Sequence, residues 1–391
     1  MYGREGVSVK KFRLMVKDFL RRADMLLFAL CMIASIFGIV VISSAVATYD
    51  HPTRYVIVQS FAVMIGVGLY VLLTVIDIDV IADKWQLLLG ASVLLMLALL
   101  VFGQGGDSTG NQSWIRFFGI GIQPSEVVKI FFIILLAKQI TYLKEYKSLN
   151  HILSVVQLAA HFMLFFGMIV VISSDLGSAL VFFFIFDMML FVAGLKIYWF
   201  ILGAAAVAAV VPFAWDNFLR QDQKDRIIAP YDASVDPDGY GVRWQPSQSR
   251  LALASGRLTG MGLYNGTQTQ SSGALPEKEN DFIFAVIGEE LGLIGCCAVL
   301  LLLLLIIIRC LYVGLHSKNT LSMLVCVGVA ASTIAQTFEN VGMCVGITPV
   351  VGITLPFFSY GGSSAFSMMA AMGLVSGVKY RPKPERFHRF E

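Results

Sequence analysis

The sequence predicts an all-α integral membrane protein with ten transmembrane helices. Three observations carry that expectation. Of 391 residues, 57% are hydrophobic and only 14% charged, where soluble domains run near a quarter charged. A mean hydropathy of +0.76 leaves too little polar material for a water-facing shell. Ten apolar stretches approach the roughly 20 residues that a helix needs to cross the hydrocarbon core. Soluble enzyme folds are set aside, and a net charge of +3 suggests no nucleic-acid patch.

In chain order the stretches are 25–47, 55–76, 85–102, 125–142, 152–172, 179–195, 198–213, 282–308, 321–345 and 363–378. The eighth is long and interrupted by Glu289-Glu290. An even number puts both termini on one side. Nineteen lysines and arginines fall on the short segments of that side, residues 1–24 and 379–391 among them. Only Arg54 and Arg116 fall on short loops opposite. The positive-inside rule therefore places both termini in the cytoplasm. Residues 214–280, between the seventh and eighth stretches, form the one large polar segment and face outside. The organisation expected is a single membrane domain, 25–378, with that extracytoplasmic loop. The six cysteines form no C-x-x-C pair and the five histidines show no metal-ligand spacing, so neither a disulfide framework nor a zinc site is indicated. The basic start leads into a full-length span, which does not fit a cleavable signal peptide.

Ionisable groups at membrane depth are costly and are functional candidates. In Gln123-Pro124-Ser125-Glu126-Val127-Val128-Lys129, Pro124 and Ser125 mark a helix start. Glu126 and Lys129, three apart, share a helical face. They are either an interfacial anchor or the wall of a polar cavity in which Lys129 meets an anionic headgroup. Asp175, between two spans, is a second candidate, with helix capping as the plain alternative. Gly256, Gly260, Gly262 and Gly266 punctuate residues 255–269, a density that lets backbone N–H groups approach an anion. Asp281 lies where the chain re-enters the membrane. A partly desolvated carboxylate there suits a general base; capping of the eighth helix is again the alternative. Finally, after Asn340-Val341-Gly342, the prolines Pro349 and Pro356 and the pair Gly361-Gly362 break the helical pattern before the tenth span. That pattern fits a re-entrant segment, tolerated only where it is buried or lines a wet cavity. The hydroxyls of Ser359 and Ser363 are placed to meet a phosphate, or the segment is purely structural.

Together these stretches resemble the RodA/FtsW/SpoVE (SEDS) family of bacterial cell-wall synthesis, over most of the chain. The motifs are Trp114-Ile115, Gln123-Pro124-Ser125-Glu126 with Lys129, Asp175-Leu176-Gly177, Gly266-Thr267-Gln268-Thr269, Leu275-Pro276-Glu277, the run from Asp281-Phe282-Ile283-Phe284 to Gly288-Glu289-Glu290-Leu291-Gly292, and residues 356–364. The resemblance implies a peptidoglycan glycosyltransferase of the bacterial cytoplasmic membrane, serving cell-shape, division or sporulation wall synthesis. Such proteins polymerise lipid II at the outer face, beside a class B penicillin-binding protein that crosslinks the strands. It implies Asp281 as the catalytic residue and Trp114, Glu126 and Lys129 in one cavity. Asp175, Gly266, Thr267, Ser359 and Ser363 join them as substrate contacts.

The implied chemistry needs a base for a sugar hydroxyl, for which Asp281 is best placed. It also needs positive charge for the departing pyrophosphate. Arg243, Arg250, Lys129 or a bound divalent cation such as Mg or Mn would supply it; no organic cofactor is expected. The chain departs from the family pattern in three places. Glu279-Asn280 stand where His-Thr is usual. Ser113 stands where arginine is usual, with Arg116 as a partial substitute. Ser173-Ser174 stand where Gln-Pro is usual. Two other readings stay open, a lipid II flippase and a non-catalytic scaffold for the penicillin-binding protein.

Overall fold

The structure, a computed structural model, describes residues 17–104, 113–117, 120–217, 219–271 and 273–381. Most of the expected N-terminal segment (1–16) and tail (382–391) therefore lie outside the described residues. Among the described residues ten helices have 17 residues or more. They are α1 (Met25–Ala45), α2 (Pro52–Val75), α4 (Trp85–Phe102), α5 (Pro124–Tyr146), α6 (Ile152–Met168), α7 (Leu176–Ala193), α8 (Ile197–Asn217), α12 (Ile283–Leu315), α13 (Thr320–Val345) and α14 (Gly362–Tyr380). Shorter helices are α3 (Ile78–Asp83), and α9 (Gln221–Ile228), α10 (Trp244–Ser255) and α11 (Thr267–Gln270) between α8 and α12. Among the described residues eight helices are long and apolar enough to cross a membrane. The two long helices outside that set are α5, which carries Glu126, Lys129, Lys138, Lys144 and Glu145, and α14, which is rich in small residues and almost wholly buried.

The chain is not purely helical. Strands β1 (Gly103–Gln104), β2 (Trp114–Phe117) and β3 (Ile120–Ile122) form a small antiparallel sheet in the order β1-β2-β3. The aromatic and β-branched residues of Trp114–Phe117 and Ile120–Ile122 favour strands and are too few to span a bilayer.

The helices begin and end where local chemistry requires. Pro124 opens α5 at a position where its missing N–H costs nothing. Asp175 caps α7. The Asn319 side chain accepts the Ser322 N–H at 2.8 Å to start α13, which stops at Gly346 with φ of 81°. The core forms around α13 and α14. Helix α14 lies along α2 so closely that a Cβ on Gly373 would sit 2.8 Å from the Tyr70 Cα. Small residues permit such backbone approach where apolar helices cannot rely on water to drive them together. Helix α13 packs on α12, α7 and α5.

Helix α12 is broken at Gly292 (φ 67°, ψ −166°), a conformation that disfavours any residue with a Cβ. The break leaves backbone groups without intrahelical partners. The glycine-rich turn after α10 supplies them: Met261 and Gly262 N–H donate to Glu289 and Glu290 carbonyls at 3.0 and 2.9 Å. In return Leu293 and Ile294 N–H donate to Arg257 and Leu258 carbonyls at 2.9 and 3.2 Å. A break within an apolar helix is tolerable only when sealed in this way.

Two ends of the bundle carry polar groups. At one, the fully buried Asp24 pairs with Arg309 of α12 at 2.8 Å and Lys379 of α14 at 3.6 Å. At the other, the N-termini of α5, α7, α12 and α14 gather with the C-terminus of α13, through bonds described next.

Candidate active site

At this second end Lys129 Nζ donates to both oxygens of Glu126, each at 2.9 Å. Both side chains are under 10% exposed. Gln336 of α13 donates to the same Glu126 at 3.2 Å. An ammonium has three N–H groups, so one remains for a ligand. A cavity of about 10 Å³ opens beside Lys129, bordered by Gln123, Gln336, Gly352 and Thr354. That is room for about one water molecule.

The neighbouring helix starts are cross-linked by side chains. Gln123 N–H donates to Ser363 Oγ at 3.1 Å, and Gln123 Nε2 to Asp175 at 3.0 Å. Asp175 also accepts the Ser178 N–H at 3.0 Å and the Ser178 hydroxyl at 2.7 Å, capping α7. Burial pushes the Asp175 carboxyl up, opposed by these donors.

Asp281 stands one residue before the N-cap of α12. Its backbone is fixed: Asn340 Nδ2 donates to its carbonyl at 2.9 Å and to that of Ile353 at 2.7 Å. Ser359 Oγ donates to the Asn280 carbonyl at 2.6 Å and accepts the Leu355 N–H at 2.8 Å. Among the described residues none donates a hydrogen bond to the Asp281 carboxylate. It is half-buried, and burial pushes it up to about 7, helped by the Glu277, Asp175 and Glu279 charges and opposed by Arg226 of α9. Gly352 (φ 72°) separates this carboxylate from the Lys129 cavity, bordering both. A Cβ there would lie 3.2 Å from an Asp281 oxygen.

A carboxylate poised near neutrality, an ammonium with a spare N–H and four helix N-termini now share one end of the bundle. The FtsW/RodA/SpoVE family of cell cycle proteins matches residues 24–383. The chain belongs to this family. It is 31% identical over 381 residues to a probable peptidoglycan glycosyltransferase FtsW of Bacillus subtilis, covering 93% of this chain and 92% of the relative. It is 34% identical over 288 residues to the peptidoglycan glycosyltransferase MrdB of Escherichia coli, covering 73% and 75%. A chain from a peptidoglycan synthase complex that coordinates polymerization and crosslinking superposes with a TM-score of 0.75. That pair shares 27% identity and covers 91% of this chain and 97% of the other.

The FtsW/RodA/SpoVE motifs fall into three groups in space. Glu126, Lys129, Asp175 and Ser363 meet around Gln123, and Ser359 ties the 355–361 segment to the Asp281 turn. Trp114 lies on β2 with its ring against Gly121. Arg116 pairs through its backbone with Gly121, and its side chain lies outside the described residues. The third group sits elsewhere. Gly266 and Thr267 open α11, which wraps the fully buried Glu289. That carboxylate accepts Gln268 and Thr269 N–H at 2.7 and 2.8 Å and the Thr267 and Thr269 hydroxyls at 3.1 and 2.6 Å. The anion approached by the glycine-rich stretch is thus one of the chain's own. Arg243 turns to the Ala233 and Asp236 carbonyls of its loop at 3.5 and 3.4 Å. Arg250 lies against Gly346 and Ser247.

Sequence reasoning missed Gln336, Gly352 and Arg226. Gln336 had a signal: it precedes Asn340 by four residues, so two amides share one face of an apolar helix. Gly352 and Arg226 had none, because only the folded chain brings them to Asp281.

Proposed function

We infer that this chain is a peptidoglycan glycosyltransferase of the cell membrane, polymerising lipid II with Asp281 as general base. The observation that carries the reading is the Asp281 carboxylate: fixed through its backbone, without a donor among the described residues, raised to about 7 and facing Gly352, which also borders the Lys129 cavity. Asp281 takes the proton of the acceptor sugar hydroxyl as its oxygen attacks the anomeric carbon of the donor. The bond from that carbon to the lipid pyrophosphate breaks, and its electron pair leaves with the pyrophosphate. No general acid is needed for so stable an anion. The spare N–H of Lys129 and the N-termini of α5 and α14 offer positive potential where the pyrophosphate charge develops. No cluster of three or more metal-ligating side chains occurs among the described residues; a divalent cation such as Mg or Mn, if bound with the substrate, would add positive charge at the pyrophosphate.

In this reading all ten long helices span the membrane, with residues 346–361 as a re-entrant segment. Both termini are cytoplasmic, and the Asp281 end faces outward. A class B penicillin-binding protein crosslinks the strands alongside; in support, the solved synthase complex combines polymerization with crosslinking. Supplying purified protein with fluorescent lipid II tests the activity. Long glycan strands are expected. Translocated but unpolymerised lipid II would instead mark a flippase, and no reaction a scaffold. Orientation is tested by labelling single cysteines with an impermeant thiol reagent on intact cells. Positions in 239–273 should react and positions in 380–391 should not; the reverse would put Asp281 on the wrong side.

A further inference from the structure

The turn that presents Asp281 is gripped from a region that no motif covers, the link between α1 and α2. The Tyr49 hydroxyl donates to the Glu279 carboxylate at 2.6 Å. Lys278 Nζ donates to Thr48 Oγ1 at 3.0 Å and to the Thr269 carbonyl, and lies 5.1 Å above the Tyr49 ring. Lys278 and Glu279 are buried, at 2% and 7% exposure. Tyr49 packs on Tyr55, with centroids 5.5 Å apart, and Tyr55 on Tyr360 at 4.9 Å. Tyr360 closes the circle, because its N–H donates to the Glu279 carbonyl at 2.7 Å. Glu279 is thus held at both its side chain and its backbone, two residues before Asp281.

We propose that Tyr49 and Glu279 form a positioning pair, which fixes a second carboxylate beside the Asp281 base through the α1–α2 link and so sets the place and charge environment of that base. The inference rests on Asp281 being the base. Neither residue touches the reacting atoms; both act through Asp281. A fixed negative charge close by makes a second carboxylate hold its proton more tightly. The charged and titratable groups around Glu279 are Tyr49, Glu277, Lys278 and Tyr360 with its neighbour Arg54, and those around Asp281 are Glu277, Asp175, Arg226 and Glu279. Only Glu279 among them is bonded to Tyr49.

The test is the pH dependence of lipid II polymerisation by purified full-length protein, with kcat and KM measured separately. Glu279→Gln keeps an oxygen for the Tyr49 hydroxyl and removes the charge. Its acid limb should move to lower pH by about half a unit or more. Glu279→His also removes the fixed carboxylate, should move the limb the same way and serves where the glutamine variant expresses poorly. Tyr49→Phe keeps the ring stack and loses the hydroxyl. It should lower kcat about tenfold with KM held, the pattern of a displaced catalytic group. A wild-type limb left in place by both Glu279 changes, with kcat kept in Tyr49→Phe, overturns the positioning pair and leaves Asp281 standing. A wild type without any acid limb overturns both.

Discussion

Asp281 and Glu289 lie eight residues apart at the start of one helix, and the fold treats them in opposite ways. Glu289 is fully buried and accepts four close hydrogen bonds from α11. Every lone pair it has is engaged in holding the glycine-rich turn against the α12 break. Asp281 keeps solvent contact, has its backbone fixed by Asn340 and, among the described residues, receives no donor at its carboxylate. A carboxylate whose oxygens are all taken up by donors has no lone pair to offer a substrate proton, whereas a half-buried one left without donors does. The difference separates a structural acid from a reactive one in residues that sequence alone presents alike.

The largest expected effect on this contrast is at Asp281. Asp281→Asn keeps the shape and the Asn340 contact but cannot take a proton. It should lose at least about a hundredfold in polymerisation while remaining folded. A near-normal rate would remove Asp281 as base. The opposite signature belongs to Glu289. Glu289→Ala leaves four donors without an acceptor and should destabilise the protein by about 3 kcal/mol or more, read as a drop in thermal unfolding temperature in detergent. A variant with wild-type stability would mean that the α11 cradle is not structural.

Lys129→Ala should cut polymerisation by roughly ten- to a hundredfold with the protein still inserted, if the ammonium serves the substrate. Here the contrast can be broken. If replacing both Glu126 and Lys129 by apolar residues rescues activity, the pair is a buried structural ion pair and belongs with Glu289. The smallest effect is on stability against pH. Asp281 is raised from 3.8 to about 7, so the folded state binds the extra proton in that window and loses stability as pH rises through it. In full, that change corresponds to about 4 kcal/mol, and solvent contact at the half-buried carboxyl screens part of it, so Asp281→Asn should stabilise the fold by about 1–2 kcal/mol near pH 8 and by next to nothing near pH 4. An equal effect at both would show that its carboxyl is not perturbed.

Much of this was legible in the sequence. The apolar runs located all ten long helices to within a few residues at most ends, because a run of that length has few other uses. The main error was at α12, which continues to Leu315 rather than stopping near 308, since nothing after 308 breaks a helix. The pairing of Glu126 with Lys129 followed from helical spacing alone. What spacing could not give was the partner across space. The glycine density at 256–266 did mean close approach to an anion, but the anion is Glu289. Periodicity says nothing of which residue another segment will meet. For the same reason Tyr49, Gly352 and Arg226, distant in sequence, carried no signal of their place near Asp281.

The central claim is that an aspartate poised near neutrality removes the proton. Its most direct test is kcat/KM for lipid II polymerisation across about pH 5.5–8.5, in wild type and in Asp281→Asn. The wild-type rate should climb through an acid limb with its midpoint near 7 and then level off, while the residual rate of the variant stays flat. A limb that survives unchanged in Asp281→Asn, or a wild-type rate independent of pH over that range, would contradict the account.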